Sequence, residues 1–127
     1  MNLIRIKPSV VPGILWLLIV TILLTLPGSA FPKEDWLSKI WFDKWVHIGL
    51  FAILVFLWSW SSLKQKITSL NERFVFIAIL GLVYGIGMEF IQKYFVINRS
   101  FDFGDIIADA IGSSFGYLIS WYRYIKK

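Results

Sequence analysis

The sequence predicts an all-α polytopic membrane protein, a bundle of four transmembrane helices. Three observations carry this. Of 127 residues, 57% are hydrophobic and seven are tryptophan, and the mean hydropathy is +0.69, where a small soluble domain is about half apolar. The apolar residues fall in long blocks, not in amphipathic stripes. The basic residues flank those blocks and do not line one polar face, so the net charge of +5 reads as topology and no nucleic-acid partner is expected.

The first block is VVPGILWLLIVTILLTL at 10–26, stopped by Pro27-Gly28 and kept from continuing by Pro32. The second covers about 45–63, the third about 74–94 and the fourth about 106–124. Each approaches the ~20 residues that cross the hydrocarbon core at 1.5 Å per residue. The connections are PGSAFPKEDWLSKIWFDK, KQKITSLNE and VINRSFDFGD. At 14.8 kDa the chain has room for one domain, taken as 1–127. MNLIRIK, the first apolar run and Gly28-Ser29-Ala30 resemble a secretory signal. The run is longer than a signal core and Phe31-Pro32 is a poor mature start, so the segment is read as a retained first helix.

Four spans put both termini and the 64–73 loop on one side of the membrane. That side carries Arg5, Lys7, Lys64, Lys66, Arg73, Arg123, Lys126 and Lys127, eight of the thirteen basic residues. The positive-inside bias places it in the cytoplasm. Localisation in the cytoplasmic (inner) membrane follows, with the lipid bilayer as partner. Tryptophans 36, 41 and 45 with Tyr94 on the outer side, and Trp58, Trp60, Trp121, Tyr122 and Tyr124 on the inner, fit two aromatic belts. The acids are more lopsided. Only Glu72 of eight lies with the cytoplasmic basic residues, and the topology rule gives acids little weight.

The acids instead mark a polar level one turn below the outer interface. Helix two enters with Asp43-Lys44, and His47 lies one turn deeper, on the face of Asp43. Helix three carries Glu89 and Gln92 just before its outer end. Helix four begins near Asp105 and buries Asp109 one turn further in. A charge at the centre of a span costs roughly 2.5–3.5 kcal/mol on insertion scales, and such groups face a bundle interior or water. Three helices each placing one at the same depth predict a shared site. Its candidates are Asp43, Lys44, His47, Glu89, Gln92, Arg99, Ser100, Asp102, Asp105 and Asp109, with His47, Glu89 and Asp109 as the candidates for catalysis.

Plainer roles exist for several of these. Glu89 and Lys93 have the spacing of an i,i+4 ion pair. Asp102 followed by Asp105 has the pattern of a helix N-cap with an acid in the first turn. Gly81/Gly85 and Gly112/Gly116 have the spacing of close helix packing. His47 taken alone has the plain reading of a hydrogen-bonded packing residue. Asp109 is the hardest to explain so, because capping does not account for a residue inside the apolar run. Without cysteine, and with a single histidine, no disulfide or thiolate site exists and a zinc centre is poorly supported. Carboxylates alone suit Mg²⁺ or Ca²⁺, but no dedicated loop motif is present. No metal and no cofactor are therefore assigned.

With these residues in place, the chain resembles the VanZ-like family, named for a teicoplanin-resistance accessory protein. The resemblance lies in DKWVHIGLFAIL at 43–54, YGIGMEFIQKYF at 84–95 and NRSFDFGDIIADAIGSSFG at 98–116. It spans about Asp43 to Gly116, while the first helix matches only in position and hydrophobicity. The family typically carries Asn where this chain has Asp109. The resemblance implies a cell-envelope protein and an association with glycopeptide resistance. Three function classes meet the residues. One is a binding protein whose Lys44, Lys93 and Arg99 engage an anionic or lipid-linked ligand over a floor of His47, Glu89 and Asp109. A second is a membrane enzyme using carboxylate/His acid–base chemistry, with Ser100 as a conceivable nucleophile. The third is a proton relay, disfavoured because the cytoplasmic halves offer no polar path. The first is the reading adopted.

Overall fold

The computed structural model describes residues 7–27, 42–65, 68–97, 99 and 101–126. Its elements, in order, are a 3₁₀ turn at Pro8–Val10 leading into α1 (Val11–Thr25), then α2 (Phe42–Ser61), α3 (Leu70–Phe95) and α4 (Phe103–Ser120). A π-helical segment, Trp121–Lys126, continues α4. Among the described residues there is no strand.

Local chemistry sets the helix ends. Pro12 lies in the first turn of α1, where a missing N–H costs nothing, and α1 stops where Leu26 turns extended ahead of Pro27. Ser69 caps α3 by accepting the Glu72 N–H at 3.2 Å, and Asp102 caps α4 through the Gly104 N–H at 2.8 Å. The last three helices therefore start three or four residues before the apolar blocks that announce them. Hydropathy does not register a polar first turn, whereas a cap does.

Among the described residues, α1 together with its leading 3₁₀ turn (Pro8–Thr25), α2 and α3 are long and apolar enough to cross a membrane. α4 has 18 residues, but its inward face is built of Asp105, Asp109, Ser113 and two glycines, which lowers its hydropathy while it packs against two other spans. Beside an apolar core, the interior holds many polar groups, and the outside carries many large apolar ones. Glu89, Gln92, Asp109, Ser59 and Ser120 are fully buried, while Leu15, Ile22, Val83 and Phe115 are exposed. That distribution is expected when the surrounding solvent is lipid.

Glycines set the register. A Cβ on Gly112 would lie 2.5 Å from the Ile48 carbonyl oxygen, and one on Gly116 would lie 2.6 Å from that of Ala52. Contacts that advance together along both chains make α2 and α4 parallel neighbours at backbone contact distance. α3 runs the other way, with Gly85 against Asp109, Gly81 against Ser113, and Asn71 accepting the Tyr117 hydroxyl at 2.6 Å. α1 packs on α2 and α3 and does not touch α4. Its contact is apolar, through Val20 and Leu24 against Leu50, Phe51, Leu54 and Met88. Three polar ties fasten it: Trp16 Nε1 donates to the Leu50 carbonyl at 2.9 Å, Thr21 and Tyr84 share a hydrogen bond of 2.5 Å, and Gln92 Nε2 donates to the Leu24 carbonyl at 2.8 Å.

Candidate functional site

At the end where α2 and α4 begin and α3 finishes, three helices bring ionisable groups to one level. By helical rise, His47 lies about 7–8 Å in from the start of α2 and Glu89 about 9 Å from the end of α3. Asp109 is about 9 Å in from the start of α4. All three are buried.

The deepest pair is His47 with Asp109. Imidazole Nδ1 lies 2.7 Å from Asp109 Oδ1, with 6% and 1% of the two side chains exposed. The close α2–α4 approach at Gly112 makes this reach available, since Ile48 and Gly112 are in contact one residue and one turn away. The other carboxylate oxygen, Oδ2, is buried without a hydrogen-bond partner. It occupies the space left by Gly85, where a Cβ would lie 2.5 Å from it.

Above the pair sits Lys44. Its ammonium bonds to Asp43 at 2.6 Å, Asp102 at 2.6 Å and Asp105 at 2.7 Å, using all three of its donors. These bonds join the N-terminus of α2 to that of α4. The Lys44 ammonium beside Asp102 holds that carboxyl below the usual carboxylate range, the Gly104 N–H assisting and burial opposing. Glu89 reaches across from α3, its Oε2 accepting the Asp102 backbone N–H at 3.1 Å. Asp105 closes the group, with Oδ2 3.7 Å from His47 Nε2. One oxygen of Glu89, one of Asp105 and one imidazole nitrogen lie within 4.8 Å of one another.

A family model described as VanZ/LLP1 matches residues 11–125. The chain belongs to the VanZ/LLP1 family. It is also similar to an uncharacterized protein of Schizosaccharomyces pombe, with 34% identity over 80 residues. That stretch covers 61% of this chain and 46% of the relative, so the match spans about half the relative's length. No solved structure matches the chain. The VanZ/LLP1 match takes in all four helices of the bundle, α1 included.

The structure sorts the residues singled out from the sequence. Asp43, Lys44, His47, Glu89, Asp102, Asp105 and Asp109 form one connected cluster. Gln92 does not join it. Its amide satisfies a carbonyl in the last turn of α1, where helical carbonyls lack partners of their own. Arg99 is part-buried in the connection before α4, and Ser100 lies outside the described residues, as do Trp36 and Trp41. Of the cations expected to meet a ligand, Lys44 bonds to three carboxylates. Glu89 and Lys93 do not pair. The Lys93 ammonium lies 5.1 Å from the Tyr94 ring centroid, and Glu89 faces the interior. Asp102 is the cap that its spacing suggests, and it is also a partner of Lys44. Two roles are not visible in the sequence: that of Gly85, which makes room for Asp109, and that of Tyr84, which holds α1. The glycine spacing signalled packing, but nothing in it named the side chain being accommodated.

Proposed function

We propose that this VanZ/LLP1 family member lies in the cytoplasmic membrane with both termini in the cytoplasm and binds an anionic or lipid-linked envelope ligand at its outward end. The observation that carries this is Lys44, a cation at the mouth of a site fed by three helices. Its side chain is 24% exposed, and its most exposed partner is Asp43, at 60%. An incoming phosphate or carboxylate takes the place of Asp43 without uncovering the deeper bonds. Around the mouth, Trp45, Phe95, Ile97 and Phe103 are strongly exposed, an apolar collar suited to the hydrocarbon part of such a ligand while its headgroup meets Lys44. A contribution to glycopeptide (teicoplanin) tolerance is the biological role that the resemblance suggests.

Native mass spectrometry of the detergent-solubilised chain with a polyisoprenyl phosphate, phosphatidylglycerol and phosphatidylcholine tests the reading. The phosphate-bearing polyisoprenoid is expected to be retained above the zwitterionic lipid, and Lys44→Gln to abolish the difference. Equal retention of all three lipids refutes it. Teicoplanin tolerance of cells expressing the wild type or Lys44→Gln tests the role. A reporter fused after Lys127 should be cytoplasmic, and cysteines at Ser38 or Asn98 should react with an impermeant reagent. Reaction at Thr68→Cys in their place reverses the topology.

A second reading, a membrane enzyme acting on a lipid-linked substrate, is favoured by the His47–Asp109 pair. A buried carboxylate that fixes an imidazole through Nδ1 leaves Nε2 as a general base. In that case His47→Gln abolishes turnover and leaves lipid retention intact.

A further inference from the structure

The groups beneath Lys44 have a geometry that ligand binding at the mouth does not use. With Nδ1 protonated, His47 donates to Asp109 at 2.7 Å, and the lone pair of Nε2 points away from that bond. Among the described residues Nε2 has no hydrogen bond, its nearest carboxylate oxygen being Asp105 Oδ2 at 3.7 Å. An imidazole with 6% of its side chain exposed thus turns an unpartnered nitrogen toward two buried carboxylates, Asp105 and Glu89.

Each of these three groups is held in place by a separate partner: His47 by Asp109, Asp105 by the Lys44 ammonium, and Glu89 by the Asp102 backbone N–H. Metal ligands are held in this way, the histidine in particular by an outer carboxylate on its other nitrogen. The charge balance points the same way. Three buried acidic side chains, Glu89, Asp105 and Asp109, converge on one imidazole and one ammonium, and a cation bound among them would offset the charge of those that are ionised. A neighbouring acidic group, Asp43, Asp102 and Asp105, has comparable spacing, but the Lys44 ammonium already bonds to all three.

We propose that His47 Nε2, Glu89 and Asp105 bind a divalent first-row transition cation, with Asp109 orienting the imidazole. One nitrogen and two oxygen donors suit Mn²⁺ through Zn²⁺ better than Mg²⁺ or Ca²⁺, which take oxygen alone. Bonds of ~2.0–2.2 Å require the donor atoms to lie roughly 3–4 Å apart. The present spacing, within 4.8 Å, closes to that by a sub-ångström movement. Three protein ligands leave coordination positions open for water or an oxyanion. The site requires nothing of the headgroup ligand proposed above.

Isothermal titration of the EDTA-stripped, detergent-solubilised full chain with Zn²⁺ tests this, with Co²⁺ as spectroscopic probe. The expected result is saturable one-to-one binding, with Co²⁺ giving the intense visible bands of a four- or five-coordinate ion. Glu89→Gln keeps an oxygen for the Asp102 N–H and should fold, which size-exclusion elution and helical circular dichroism will check. It should bind Zn²⁺ at least tenfold more weakly, and His47→Gln should abolish the Co²⁺ bands. Glu72→Gln, at the opposite end of α3, should change neither. Absence of saturable binding by the wild type overturns the proposal, as does equal affinity in the wild type and Glu89→Gln. Because the titration contains no lipid ligand, its failure leaves the headgroup reading standing, and failure of lipid retention leaves this one standing.

Discussion

Replacing Gly112 by alanine adds one methyl group at the closest approach in the bundle. The new Cβ would lie 2.5 Å from the Ile48 carbonyl oxygen and 3.0 Å from both Ile48 Cα and Phe51 Cβ. Two of those atoms are backbone and cannot rotate away, so α4 must move off α2. Restoring an ordinary contact of 3.4 Å takes a shift of about 0.9 Å in a tightly packed interface. Asp109 lies one turn earlier on the same face, so its 2.7 Å bond to His47 stretches to about 3.6 Å and is lost. Overpacking costs ~1–3 kcal/mol, and a buried charged hydrogen bond contributes ~1.5–3 kcal/mol. The helix preference of alanine over glycine returns at most ~1 kcal/mol. With that offset the net loss is ~1.5–5 kcal/mol, a fall in thermal midpoint on the order of 10 °C for a chain of this size. Gly87→Ala is the control, since a Cβ there meets nothing within 4 Å, and it should leave the midpoint unchanged or slightly raised. The assay is thermal melting in detergent followed by size-exclusion fluorescence. Equal midpoints for Gly112→Ala and Gly87→Ala would refute the reasoning.

Gln92→Leu removes the donor to the Leu24 carbonyl and should loosen α1 by ~1–2 kcal/mol, read as faster proteolysis near the end of α1 while the His47 site remains intact. Glu89→Gln and Asp109→Asn should both express near wild-type level, because each keeps an acceptor oxygen and sheds a buried charge. Lower ligand retention at normal expression would assign Glu89 to function, and equal losses of both would assign it to folding. Asp102 has a depressed folded pKa, so its pairing with Lys44 is fully present above the ordinary aspartate range and is lost as pH falls through the folded value. Melting between pH 7 and pH 3 should therefore show a loss of stability at the acid end that is smaller in Asp102→Asn; superimposable pH profiles would contradict it.

Much of the fold was legible because lipid leaves few options for an apolar chain, and four blocks of spanning length meant four helices. His47, Glu89 and Asp109 stood out for the same reason, since an ionisable group in such a run is costly wherever it does not face the interior. Their partners were less legible. That Lys44 gathers three acids depends on the N-termini of α2 and α4 lying side by side. Two glycines fix this by contacts that appear only after the helices are paired. Gln92 sits one turn from Glu89, and its spacing alone matches the site as well as it matches α1. The carbonyl that separates the two roles is a backbone group of α1, which no side-chain pattern in the sequence announces.

The parallel course of α2 and α4 bears on the uneven distribution of the acids. Each helix carries about half a positive charge at its N-terminus through its aligned peptide dipoles. Parallel neighbours at backbone contact distance bring two such ends together, and the repulsion is greatest where water is scarce. Asp43 and Asp105 lie in the first turns of those helices and Asp102 caps the second, while α3 ends beside them and offers the opposite pole. The acids therefore act as counter-charge that lets two helices point the same way at close range. Neutralising Asp43 and Asp105 together should weaken the α2–α4 pairing even at Gly112 and Gly116, where neither acid makes contact.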